Sequence, residues 1–207
     1  MRKKSHISLA NHMLSAFLDE ECLMAHSHMF QFGSILPDLV PTFITKKHQI
    51  DTTFDILEKK LRKIIDAYDG RSRLSLLRCK DLGVITHYIA DYFTLPHNTK
   101  FEGNLKDHCQ YEEVLKHAMR RYVKLANVHH QPLIRTSLTS VEDICKFIKD
   151  VHGEYMQMSM SGQDIDCRFS VEVSRQVIEA VVSILYAKQS EAPVVLGVRE
   201  QHYIEVA

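Results

Sequence analysis

The chain has 207 residues, 45% hydrophobic and 25% charged, with 26 basic residues balanced by 26 acidic ones. Such a chain is long enough to bury a substantial core as one globular domain. Its zero net charge supplies no global field favouring nucleic acid or an anionic membrane surface. Taken in chain order, Arg2, Lys3 and Lys4 resemble the start of a secretory leader. Polar residues from His6 to Glu21 interrupt any apolar stretch behind them, so no leader is expected. Helices are predicted over residues 8–17 and 22–32, then a loop over 32–47. Ile50, Phe54, Leu57, Leu61, Ile64, Ile65 and Tyr68 form one apolar stripe, with Asp51, Thr52 or Thr53 available as cap. The basic run Lys59, Lys60, Arg62 and Lys63 reads as the solvated face of that helix. Residues 75–95 read as a long helix that is apolar on all sides, and therefore central. Residues 105–127 form another, with Leu115, Met119, Tyr122 and Leu125 inward. Two more are predicted over 139–155, opened by a capping box from Thr139 to Glu142, and over 170–188.

No segment has the apolar length of a membrane span. The cysteines, Cys22, Cys79, Cys109, Cys145 and Cys167, are odd in number and contain no CxxC pair. Reduced thiols in a cytoplasmic protein are expected. Only seven Gly and five Pro punctuate the chain, and it has no repeat, low-complexity tract or linker. The expected organisation is a single all-α domain over residues 1–192 and a tail over 193–207.

The chemistry is concentrated in two short motifs. His87-Tyr-Ile-Ala-Asp91 and His108-Cys-Gln-Tyr-Glu112 each place two metal-binding side chains four residues apart. On a helix that spacing puts both on one face, one turn apart. His97 lies between them, just after Pro96, where a helix must stop. Upstream donors are Asp38, which follows a proline turn, then His48, His6 and the α-amine of Met1. All are hard or borderline donors of the kind zinc accepts.

The ordered set His6, Ser-x-x-Pro-Asp38, His48, His87-x3-Asp91-x5-His97 and His108-x3-Glu112 resembles the zinc-dependent phospholipase C family. That family shares an all-helical fold with the fungal single-strand-specific nucleases, and the likeness runs over roughly residues 1–113. It implies a multi-helix bundle enclosing two to three zinc ions. One zinc would be held by Asp38, His48, His87 and Asp91, and a second by His97, His108 and Glu112. A third would be held by His6 and the Met1 amine, with Asp91 bridging. It further implies hydrolysis of a phospholipid or other phosphodiester by a metal-bound hydroxide that attacks phosphorus, with Asp38 orienting or deprotonating the water. Diacylglycerol and a phosphorylated head group would be the products. Glu112 is the residue type of the phospholipase branch, since the nuclease branch tends to use Asp there.

Two rivals are a single-strand nuclease or nucleotide phosphatase on the same cluster, and a metal-binding scaffold without catalysis. A nuclease needs aromatic slots for bases, and the neutral charge argues against a polymeric nucleic-acid ligand. A scaffold leaves no open coordination position. Tyr88, Tyr92, Phe93 and Tyr111 read as core packing, and His12, His26, His28, His117, His129, His130, His152 and His202 as surface or satisfied residues.

Overall fold

The computed structural model describes residues 1–17, 21–40, 47–70, 73–126, 137–158 and 162–191. These form α1 (Lys3–Ala16), α2 (Glu21–Met24), α3 (Ser27–Ile35), α4 (Ile50–Ile65), α5 (Leu76–Tyr92), α6 (Leu105–Ala126), α7 (Val141–Gln157) and α8 (Gln163–Glu191). Short 3-10 turns lie at Leu36–Asp38 and Leu95–His97. No strand occurs among the described residues, so the all-α class holds. No helix among them is long and apolar enough to cross a membrane. The predicted tail and residues 41–46 of the predicted loop over 32–47 lie outside the described residues.

A helix that is apolar all round must be covered all round. This is α5: Cys79 and every residue from Asp81 through Tyr92 are buried. Ser75 caps it, its hydroxyl accepting from the Arg78 N–H at 3.4 Å. Helices α3, α4 and α8 pack around it. The crossing with α3 is made by two glycines. A Cβ on Gly83 would overlap the Phe30 carbonyl oxygen and lie 2.9 Å from the Ser34 nitrogen. A Cβ on Gly33 would overlap the Lys80 carbonyl oxygen. Only a residue without a side chain permits this approach.

Helix α4 carries the predicted stripe, burying Phe54, Leu57, Leu61, Ile64 and Ile65. Each such side chain contributes about 1.5–3 kcal/mol when fully buried. The cap differs from expectation. Gln49 has the extended backbone of an N-cap, and Thr52 is its reciprocal partner in a capping box. The basic run is also not merely solvated. Lys60 Nζ lies 2.6 Å from Asp81 Oδ1 and Lys63 Nζ 3.2 Å from Oδ2. Asp81 is only 1% exposed, and a buried carboxylate needs such partners.

Helix α1 begins at Lys3, five residues earlier than predicted. Basic residues oppose the dipole at a helix start, so local propensity gives no signal there. Tertiary contacts supply it: Met1 is buried, and Arg2 pairs with Glu113 of α6. The predicted helix over 22–32 is broken into α2 and α3, and α3 continues to Ile35. In α6, Leu115 and Met119 are fully buried, whereas Leu125 is 62% exposed, against expectation. Helix α7 is capped one residue later than predicted, Ser140 accepting from the Asp143 N–H at 3.1 Å.

Candidate metal centre

Two turns that share a Leu-Pro start deliver donors to one end of α5. Leu36-Pro37-Asp38 and Leu95-Pro96-His97 are both 3-10 turns with proline near their start. Proline ends the preceding helix, and the turn presents the residue after it. His87 and Asp91 project from the buried last turns of α5. His108 and Glu112 come from the first turns of α6, which Asn104 caps by accepting from the Lys106 N–H at 2.8 Å and the Asp107 N–H at 3.2 Å. His6 comes from α1, and His48 lies just ahead of α4.

All nine predicted residues converge. Donor atoms of Asp38, His48, His87 and Asp91 lie within 4.8 Å of one another, and so do those of His97, His108 and Glu112. Asp91 joins the two groups. Its Oδ2 is 2.9 Å from His48 Nδ1 and 3.2 Å from His87 Nε2. Its Oδ1 faces the Met1 amine, His6 Nε2 at 3.3 Å and His97 Nε2 at 3.7 Å. The amine also lies 3.0 Å from His97 Nε2 and 3.1 Å from Glu112 Oε1. It therefore stands between His6 and the His97 set rather than beside His6 alone. Glu112 Oε1 is 3.2 Å from His97 Nε2 and 3.1 Å from His108 Nε2.

Proton bookkeeping at this cluster favours a cation. His87 Nδ1 lies 2.8 Å from the Ser34 carbonyl oxygen. A carbonyl only accepts, so Nδ1 carries a proton and Nε2 is the ring nitrogen aimed into the cluster. Nε2 faces His48 Nδ1 at 3.1 Å and Asp38 Oδ1 at 3.7 Å, besides Asp91. Anchoring one imidazole nitrogen on a backbone carbonyl is how a metal-ligating histidine is oriented. His6, buried and stacked on His87 at 3.9 Å, makes no well-aligned hydrogen bond through either ring nitrogen, although Nε2 is close to Asp91. The residues present thus fit a divalent metal, and zinc suits this all-His/carboxylate set.

Electrostatics agree. Burial, with repulsion from His87, lowers His6 to about 3, and burial also lowers His97. A lowered pKa favours the neutral ring that a ligand must present. Burial works against ionisation of Asp91, but His97, the Met1 amine, His87 and His6 outweigh it and hold Asp91 well below the carboxylate range. Burial likewise opposes the charge of Glu112, which the amine and hydrogen bonds from His108 and His97 overcome. The Met1 amine differs: burial tends to depress it, yet Asp91 and Glu112 lift it to about 10, so it is an ammonium at neutral pH and must give up a proton before it can bind a metal. Asp38 is the exception among the carboxylates: burial raises it.

A cavity of about 900 Å³ opens over the cluster, and Met1, Asp38, His48, His97, His108 and Glu112 line it. Tyr92 and Phe93 are fully buried and Tyr88 nearly so, as predicted for packing residues. Several supporting residues went unnoticed in the sequence. Ser34 acts through its carbonyl, which any residue type has. Asn98 pins the His97 turn by donating to Tyr92 O and Thr94 O at 2.8 and 2.9 Å. Asp166, fully buried on α8, accepts from Leu95 N at 3.0 Å, Tyr111 Oη at 2.9 Å and Tyr155 Oη at 2.8 Å. A carboxylate in line with the apolar positions Phe169 and Val173 was the available signal.

Comparison with curated proteins and with solved structures gave no match. A family model described as zinc dependent phospholipase C matches residues 5–162. That span is well over half of the chain and takes in every side chain of the cluster just described, so the protein belongs to the zinc-dependent phospholipase C family.

Proposed function

We propose that the protein is a zinc-dependent phosphodiester hydrolase that acts on phospholipids as a phospholipase C, releasing diacylglycerol and a phosphorylated head group. The observation that carries the reading is the meeting of separate chain segments in two donor sets below one open cavity. Asp38, His48, His87 and Asp91 hold one zinc, and His97, His108 and Glu112 hold a second. His6 and the Met1 amine, beside Asp91 Oδ1, form a third position. Bound zinc makes water acidic near neutral pH and stabilises charge on phosphoryl oxygens.

The chain's own groups do the rest. Asp91 spans both sets through its two oxygens and fixes their separation. Ser34 locks the His87 tautomer, keeping its lone pair on the cluster. Asp38 faces the cavity, where its raised pKa suits it to orient a water and accept its proton. Glu112, held strongly ionised, is suited to bind metal rather than to shuttle protons.

The test is metal analysis of the purified protein together with turnover of a phosphodiester panel before and after chelation. Chelation is expected to abolish turnover and zinc to restore it. His87→Ala and Asp91→Ala are expected to lose zinc and activity together. Full activity in either variant would refute the assignment.

A further inference from the structure

The cavity over the donor sets has a charge bias that phosphodiester hydrolysis does not itself require. Five cationic side chains, Arg2, Lys3, Lys4, Lys47 and Lys116, stand among its described lining residues. The carboxylates there are Asp38 and Glu112, both members of the donor sets. Arg2 and Lys116 share Glu113. Lys3, Lys4 and Lys47 are exposed and form no ion pair among the described residues. The chain as a whole is neutral, so this positive charge is local.

Aromatic rings are scarce in the same place. Phe101 is the one Phe, Tyr or Trp among the described lining residues. Its ring meets His108 edge-on, with centroids 6.0 Å apart. A quaternary ammonium head group is recognised by a cage of aromatic faces. Here it would meet one ring and a row of lysines. Successive bases of a single strand need successive stacking rings, and the same shortage applies.

We propose that this cavity selects phosphodiester lipids of net negative charge over zwitterionic ones, with Lys3, Lys4 and Lys47 as specificity-determining residues; this rests on the phosphodiesterase reading above. The scissile phosphate carries the same charge in both lipid classes. In a zwitterionic lipid the head-group ammonium is driven against the lysines. Without that ammonium the lysines attract the whole head group. Because the three side chains are exposed, added salt weakens the selection.

The test uses zinc-loaded protein and two short-chain lipids below their micellar limit. Non-hydrolysable phosphonate analogues of dihexanoyl phosphatidylglycerol and dihexanoyl phosphatidylcholine are titrated calorimetrically. The parent lipids and a single-stranded oligonucleotide are assayed for cleavage. The phosphatidylglycerol analogue is expected to bind about tenfold more tightly, the combined size of three exposed charge interactions. Lys3→Glu/Lys4→Glu/Lys47→Glu should erase or invert that ratio, and the corresponding triple Arg variant should keep it. Equal binding, a ratio that survives charge reversal, or faster cleavage of the oligonucleotide than of either lipid would each overturn the proposal. Cleavage without charge preference refutes the selection alone. Charge preference in binding, with no diester cleaved, refutes the phosphodiesterase reading alone.

Discussion

Replacing Gly83 by Ala adds one methyl group where α3 and α5 meet. The new carbon would overlap the Phe30 carbonyl oxygen and sit 2.9 Å from the Ser34 nitrogen. Both obstacles are backbone atoms, so no side chain can rotate away. Comfortable non-bonded spacing is about 3.5 Å, so α3 must retreat by on the order of 1 Å. Overpacking with no flexible relief belongs near the top of its usual range, about 3 kcal/mol. Alanine recovers about 1 kcal/mol through its better helix propensity. The net loss is about 2 kcal/mol, which for a chain of this size lowers Tm by about 4–8 °C. The same retreat pulls the Ser34 carbonyl from His87 Nδ1, now 2.8 Å away, and shifts the turn that carries Asp38. Losing such an orienting contact weakens metal binding by about 10–100-fold. Thermal melts with zinc and with chelator, and a competition titration against a zinc dye, measure both effects. A Gly83→Ala protein with wild-type Tm and wild-type zinc affinity would show that the helix crossing does not set the metal centre.

Other perturbations separate the remaining parts of the structure. Asp166→Ala frees Leu95 N and Tyr111 Oη, which neighbour His97 and Glu112 in the chain; zinc affinity of the His97 set should fall about tenfold, with the Asp38 set retained, and equal loss from both sets would reject this role. For Asp81, burial would raise the carboxyl, but Lys60 and Lys63 outweigh it and leave the pKa depressed. Its stabilisation is therefore complete above the unfolded value of about 3.9 and is lost as pH falls through the folded value. Asp81→Asn should lower Tm at pH 7, and the gap from wild type should close in acid; a gap independent of pH would contradict the ion-pair assignment. Fusing a short peptide ahead of Met1 converts its amine to an amide beside Asp91, His97 and Glu112. Zinc content by atomic absorption should then drop by one ion, and an unchanged content would remove the amine from the ligand set.

Much of this centre was legible because its donors obey helical arithmetic. His87/Asp91 and His108/Glu112 announce themselves at i,i+4, and Pro37 and Pro96 mark where the chain must turn. The stripe of α4 and the uniformly apolar α5 were equally readable, since periodicity reports burial directly. What escaped notice depends on partners remote in the chain. Gly33 and Gly83 each count as a local cost to a helix, and only their juxtaposition turns that cost into a close crossing. The start of α1 runs against its own dipole and is held by Arg2 on Glu113. Lys60 and Lys63 looked like a solvated face because Asp81, their buried partner, belongs to another helix. The charge of the cavity rim was hidden for the same reason, since Lys3, Lys4, Lys47 and Lys116 meet only after folding.

Crystals of the zinc-loaded protein, measured on either side of the zinc absorption edge, would locate the ions directly. One anomalous peak is predicted among Asp38, His48, His87 and Asp91, and a second among His97, His108 and Glu112, with a carboxylate oxygen of Asp91 within bonding distance of the first. Absence of anomalous density at both sets, in protein that retains its fold, would contradict a zinc centre in this chain.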